Sequence, residues 1–263
     1  MLRAMRDWVE SASLERLLLA CTVLCLVLTA LGLIFGFALE RSAQASGRKV
    51  FDVPLKRGQF RTEAIGTAWF HVVFIPPLAL ALWARWITFT DGWLPNLVAV
   101  PALWVAFQLQ YYPLHRLAHR RALFWIHRWH HESLVTTPLT GLSMHPAEAA
   151  VWVVMMLGPA IVLARLGLLG IWGALTFLFL HWVGGIAGHA NADIIPFKAS
   201  RLSSLWRVPD SYHCLHHARF DGHFGFAAAY MDRLFGTEFD DWEAVQARVW
   251  RNEPLESIRE HAT

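Results

Sequence analysis

The sequence predicts an all-α integral membrane protein, with four to five transmembrane or re-entrant helices and histidine-rich polar segments on the cytosolic side. Three observations predict it. The chain is 56% hydrophobic and only 16% charged, with a mean hydropathy of +0.36, where soluble domains carry about 25% charged residues. Apolar runs close to the length of roughly 20 residues that a bilayer core demands recur as far as Ile186 and then stop. Finally, 14 His and 14 Trp stand out from this background. Trp favours the membrane–water boundary, whereas His in an apolar chain is expensive unless it is bound or hydrogen-bonded.

The first apolar run is Leu17 to Leu39, which contains no charge. A cleavable signal peptide competes with a retained helix here, because Ala43-Gln44-Ala45 resembles a small-residue cleavage site. The acidic leader (Asp7, Glu10, Glu15) and the length of the run favour a retained helix. A basic loop over 40–63 follows, with Arg41, Arg48, Lys49, Lys56, Arg57 and Arg61. The second span runs from about Ala64 to Phe89, and Pro76-Pro77 predicts a kink or break in it. The third runs from about Leu97 to Tyr112, after a turn flanked by Trp83, Trp86 and Trp93. Two further segments, about Ala147–Leu163 and Leu166–Ile186, are joined so closely that they form a hairpin. This organisation gives an N-terminal helix and loop (1–63), a central domain (64–240) and a polar tail (241–263).

Charge orients the bundle. With the 40–63 loop, the 113–146 segment and the C-terminal tail in the cytoplasm, the positive-inside tendency is met. The N-terminus, carrying Arg3, Arg6 and Arg16, then falls on the far side, a mild conflict that would vanish if the first segment did not cross. A bacterial inner membrane is the expected setting. No Lys/Arg block with interleaved aromatics suggests a nucleic-acid surface, and the net charge of +3 reflects the loops. Cys21, Cys25 and Cys214 imply no disulfide framework; Cys21 and Cys25 read as small buried apolar residues.

Eight histidines carry the chemistry. His115 and His119 form H-x3-H. His127, His130 and His131 form H-x2-H-H, and His213, His216 and His217 repeat it. On a helix, residues three or four apart share a face. His115 with His119, His127 with His130 or His131, and His213 with His216 or His217 can therefore each converge on one metal, and His119 would share a face with His127 if the helix continued. A lone His near a membrane surface is more often hydrogen-bonded to backbone than metal-bound. Three clusters of repeated spacing, an even number of crossings apart, are different. Imidazole suits Zn, Cu, Fe and Ni, but eight exceed what one tetrahedral zinc needs, so a dimetal site is expected. There is no H-E-x-x-H, which removes the main support for a zinc protease. A redox-active pair beside a membrane suits O2 chemistry on an apolar substrate.

Taken together, the motifs resemble the fatty acid hydroxylase/sterol desaturase superfamily of membrane di-iron enzymes. The resemblance covers roughly 65–240. It rests on Y-Y-P-L-H-R-L-A-H (Tyr111 to His119), W-I-H-R-W-H-H (Trp125 to His131), H-P-A-E (His145 to Glu148), G-H-A-N (Gly188 to Asn191), Y-H-C-L-H-H (Tyr212 to His217) and M-D-R-L-F-G-T (Met231 to Thr237). It implies a four-helix membrane core under a cytosolic cap, two Fe ions held by His, and O2-dependent hydroxylation or desaturation of a lipid. It adds His189 as a ninth ligand. His145 becomes a ligand or a donor to one, and His223, where the family commonly shows Asn, is left open. Glu148 and Asp210 are the candidate carboxylates behind the ligands, and Asp232 with Arg233 a structural pair. His181 reads as a core residue, His71 as structural and His261 as exposed. With no nucleotide, haem or ferredoxin motif in the chain, electrons must come from a ferredoxin or a cytochrome with its reductase. Fatty-acyl or polar-lipid hydroxylation, oxidation of a sterol or carotenoid ring, and a non-catalytic metal-binding role are the competing functions.

Overall fold

The computed structural model describes residues 2–193 and 200–262. Every named element is helical. After a short amphipathic α1 (Leu2–Ser11) come α2 (Leu14–Ser46), α3 (Gln59–Trp83), α4 (Trp93–Ala118), α6 (Pro146–Arg165) and α7 (Ile171–Ala187), with the single-turn α5 (Phe124–His127) before α6. The cap adds α8 (Asp210–Arg219), α9 (Tyr230–Phe235) and α10 (Trp242–Trp250). Helices α2, α3, α4 and α6 are long and apolar enough to cross a membrane; α7 is an apolar helix of 17 residues.

Local chemistry sets the ends. The Ser13 hydroxyl accepts the Arg16 N–H to start α2, and Gly47 (φ 74°) closes it in the left-handed region. Within α2, Cys21, Cys25, Thr29, Gly32 and Gly36 recur every three to four residues and are buried. A Cβ at Gly32 would lie 2.7 Å from Ile186 Cδ1, so this stripe of small residues lets α7 approach closely. The opposite face shows Leu19, Val23, Leu26 and Ile34 to the outside, as a lipid-facing surface requires. The helices pack as a closed ring in the order α2, α3, α6, α4, α7 and back to α2.

The spans differ in extent from the sequence reading, and the last begins only at Ile171. The first is longer at both ends. The second runs from Gln59 to Trp83 and is not broken at Pro76-Pro77: the proline φ is already helical, and neighbouring helices absorb the lost bonds. The third continues to Ala118, carrying His115 onto the spanning helix itself.

The polar half of the chain folds back over one end of this ring. Its own core gathers Val208, Tyr212, Leu215, Trp242, Val245 and Leu255 around Phe51 and Val50 of the α2–α3 loop. Phe51 pairs with Leu255 in an isolated bridge, and the Asn191 amide bonds both backbone groups of Phe51. These ties fix the cap to the α2–α3 loop and bring α8 over the open end of the bundle.

Candidate metal centre

Nine of the singled-out histidines meet beneath the cap in two sets. The first contains His115, His119, His127, His131 and His216; the second contains His130, His189, His213 and His217. Within each set, one potential ligand atom per residue lies within 4.8 Å of all the others. Each H-x2-H-H divides between the sets, in opposite senses: His127 and His131 go to the first and His130 to the second, while His213 and His217 go to the second and His216 to the first. Adjacent residues on a helical turn point about 100° apart, so each motif reaches to both sides. The sets are neighbours, with the His131 and His217 rings 4.7 Å apart.

The chain brings them together by five routes. His115 ends α4, and His119 caps it. The helix does not continue to His127. A turn over 119–123 intervenes, and α5 then presents His127 to the first set. His130 and His131 sit on the 3-10 turn His130–Glu132. His189 follows α7, and α8 supplies the last three.

Hydrogen bonds fix the direction of the rings. Nδ1–H of His115 donates to the Phe224 carbonyl at 2.9 Å, of His216 to Gly222 at 2.6 Å, and of His130 to Ser143 at 3.2 Å. That of His217 donates to Ser133 at 3.0 Å and that of His189 to Gly185 at 2.6 Å. His127 uses Glu148, whose Oε1 accepts Nδ1–H at 2.7 Å. A neutral imidazole that donates through Nδ1 has a lone pair on Nε2. The Nε2 atoms of His115 and His127 nevertheless lie 2.9 Å apart, lone pair against lone pair. Such an arrangement is repulsive unless a cation lies between the rings. Burial opposes the other escape, a protonated ring: it pushes His119, His127 and His130 down to about 3 and His189 to about 4. His131, His213, His216 and His217 are likewise held well below 6.5, by burial first and then by their histidine neighbours. Nine neutral imidazoles with converging nitrogens form a donor set that fits two divalent transition metals.

The remaining candidates are placed differently. His145 lies outside both sets; it caps α6, accepting the Ala147 N–H at 3.2 Å. His223 also lies outside them, donating to the Tyr212 carbonyl at 2.8 Å and stacking on the Tyr212 ring. Its φ of 56° is one that Asn tolerates well. Asp210 forms an ion pair with Arg207 at 3.1 Å. Asp232 and Arg233 do not pair with each other: Asp232 accepts the N–H groups of Phe224 and Gly225, and Arg233 binds Glu238. Asp232 thereby shapes the turn whose Phe224 carbonyl orients His115.

One residue escaped the sequence reading. Glu63, fully buried in α3, accepts bonds from Gln59, Ser133 and Thr140 on one oxygen and from Thr137 on the other, all at 2.7–2.8 Å. It clamps the 133–140 segment, and with it the Ser133 carbonyl that orients His217. The only signal was an acid at the start of an apolar run, which reads equally well as a helix-start charge.

A cavity of about 630 Å³ leads to the second set from the side of the bundle. It lies between α4 and α7, with Val105, Leu180 and Trp206 exposed at its rim and His189 and His213 at its inner end.

Fold and site together define an all-α membrane protein with a paired-histidine centre at one end of its helical bundle. The fatty acid hydroxylase family model matches residues 100–237, a stretch that contains all nine histidines, and the chain belongs to that family. It is similar to the very-long-chain aldehyde decarbonylase GL1-6 of Oryza sativa subsp. indica, 31% identical over 48% of this chain and 21% of the relative. It is also similar to the protein CER1-like 1 of Arabidopsis thaliana, 28% identical over the same shares. A putative methylsterol monooxygenase of Dictyostelium discoideum is 28% identical over 52% of this chain and 49% of the relative. The match thus spans about a fifth of the first two relatives and about half of the third. No solved structure matches.

Proposed function

We propose that this protein is an O2-dependent di-iron oxygenase that hydroxylates an unactivated carbon of a membrane lipid. The observation that carries the proposal is the meeting of imidazole lone pairs in two adjacent histidine sets, the second of them at the inner end of a lateral apolar cleft. His115, His119, His127, His131 and His216 would hold one iron, and His130, His189, His213 and His217 the other. Two bound irons supply the redox chemistry with O2 that oxidation of an inert C–H bond requires.

The chain's own residues do the rest. Glu148 and the five carbonyls hold the ring tautomers of six of the nine histidines, so those six are neutral and aimed inward before metal arrives. The cap core over the site excludes water. The cleft between α4 and α7 lets an alkyl chain enter from the bilayer and come to rest beside His189 and His213. The names of the relatives speak of long apolar compounds, a very-long-chain aldehyde and a methylsterol, which suits such a cleft. Electrons would arrive from the opposite side, where half-buried His119 lines an opening with Arg116, Arg120 and Arg121. An acidic carrier such as a ferredoxin fits that charge; a cytochrome with its reductase is the other candidate.

Charge also orients the protein. Among the described residues, only Arg3, Arg6, Arg16, Arg85 and Arg165 lie at the end remote from the histidines. Arg6 and Arg85 are paired there with Asp91 and Glu10. The histidine end therefore faces the cytoplasm, and the short remote loops fit a bacterial inner membrane. The test compares lipid extracts of cells with and without the protein. A lipid gaining one oxygen is expected, and His130→Ala and His216→Ala should each abolish it; unchanged product in either variant would overturn the assignment.

A further inference from the structure

His181 stands apart from both metal sets, halfway along α7, in the wall of the lateral cleft. It precedes His189 by eight residues, about 12 Å along a helix. Aromatic rings surround it: Phe107 contacts it edge-on at 4.1 Å, while Phe226 and Phe177 stack at 5.0 and 5.3 Å. Neither ring nitrogen has a hydrogen-bond partner among the described residues, and Nε2 is fully buried.

An imidazole placed this way is costly. A buried polar nitrogen without a partner destabilises the fold, and an apolar residue of the same shape would pack among these rings at no such cost. The edge-on contact with Phe107 offers one N–H an aromatic face. In a neutral ring the other nitrogen then carries a lone pair, and no donor meets it. The cleft it borders is otherwise apolar at this depth, lined by Val100, Pro101, Trp104 and Phe177. Farther out, the same cleft holds Arg207, half exposed beside Asp210.

We infer that His181 is a substrate-recognition residue that accepts a hydrogen bond from a hydroxyl on the lipid, about 12 Å beyond the carbon presented to the histidine sets. The inference rests on the proposed function in taking the cleft as the path of the substrate, and it narrows the substrate class to lipids that already carry a hydroxyl. An earlier oxygenation or hydration must then supply that group. Arg207 suits an anionic or polar head at the mouth, so a single chain could run from Arg207, past His213 and His189, to His181.

Binding is the readout, since it needs no turnover. The protein, purified in lipid nanodiscs, is titrated with a positional series of mid-chain hydroxy C18 fatty acids and with the unsubstituted C18 acid. One isomer should bind the wild type about fivefold more tightly than the plain acid, the worth of one neutral hydrogen bond. His181→Phe should bind that isomer and the plain acid alike, with its affinity for the plain acid unchanged. His181→Gln, which keeps an acceptor, should retain part of the preference and covers the case in which the Phe variant fails to fold. No preferred isomer in the wild type, no binding of any acid, or the same preference in His181→Phe would each overturn the inference. Iron content and product, measured on the same preparations, separate the two proposals. Two irons and turnover without an isomer preference sinks the role of His181 alone, whereas a clear preference without iron leaves that role standing and sinks the oxygenase.

Discussion

At the scale of the residue, the centre depends on what stands behind each imidazole. Glu148 holds a candidate ligand, accepting the His127 Nδ1–H at 2.7 Å. Glu148→Gln keeps the shape, but its amide cannot accept the proton with the same strength. Such outer partners are typically worth about 10- to 100-fold in metal affinity, and that loss is expected in a chelator competition. An unchanged affinity would show that Glu148 does no more than fill space. Acid gives a second prediction. Each candidate ligand histidine outside the spanning helices has a folded pKa below its ordinary 6.5, about 3 for His127 and His130. Between those values the unfolded chain binds protons that the folded chain refuses, so stability is full above about pH 6.5 and falls as pH drops beneath it. Each such group removes about 1.4 kcal/mol per pH unit. Thermal unfolding of metal-free protein should therefore be flat from pH 8 to 7 and drop steeply from pH 6 to 5. A flat profile throughout would mean that these rings are not buried neutral.

At the scale of the element, close approach of α7 to its neighbours positions His189 and opens the cleft. A Cβ on Gly141 would sit 2.8 Å from the Ile186 Cα and 3.0 Å from the Gly185 oxygen, both backbone atoms. Gly141→Ala must push α7 away, at about 2 kcal/mol, and should lower the unfolding temperature. A Cβ at Gly184 meets nothing within 4 Å, and Gly184 borders the cleft. Gly184→Leu should leave folding and iron content intact while lowering lipid conversion several-fold; equal conversion would exclude the cleft as the path. The sequence made the helices legible because composition and run length alone decide what enters a bilayer. It also picked out the nine histidines by spacing and resemblance. The division of each H-x2-H-H between two sets was not legible, because it depends on where α5, the 3-10 turn and α8 come to rest. Nor was Glu63, three of whose four partners lie 70 to 77 positions away and become neighbours only when the 133–140 segment folds against α3. His181 read as an ordinary core histidine, and only the fold reveals that it has no hydrogen-bond partner among the described residues.

At the scale of the whole molecule, a ring of five helices and a folded-back cap bring chain segments from His115 to His217 to one point. The cap supplies α8, the α2–α3 loop anchors it, and the lateral cleft opens the second histidine set to the side of the bundle. The proposed oxygenase chemistry depends on two metals being present. Elemental analysis of the wild-type protein, purified without added metal chelators, tests it most directly. Two irons per chain are predicted, falling toward one in His130→Ala and toward one in His119→Ala. A single tightly held zinc, or no stoichiometric metal at all, would contradict the account.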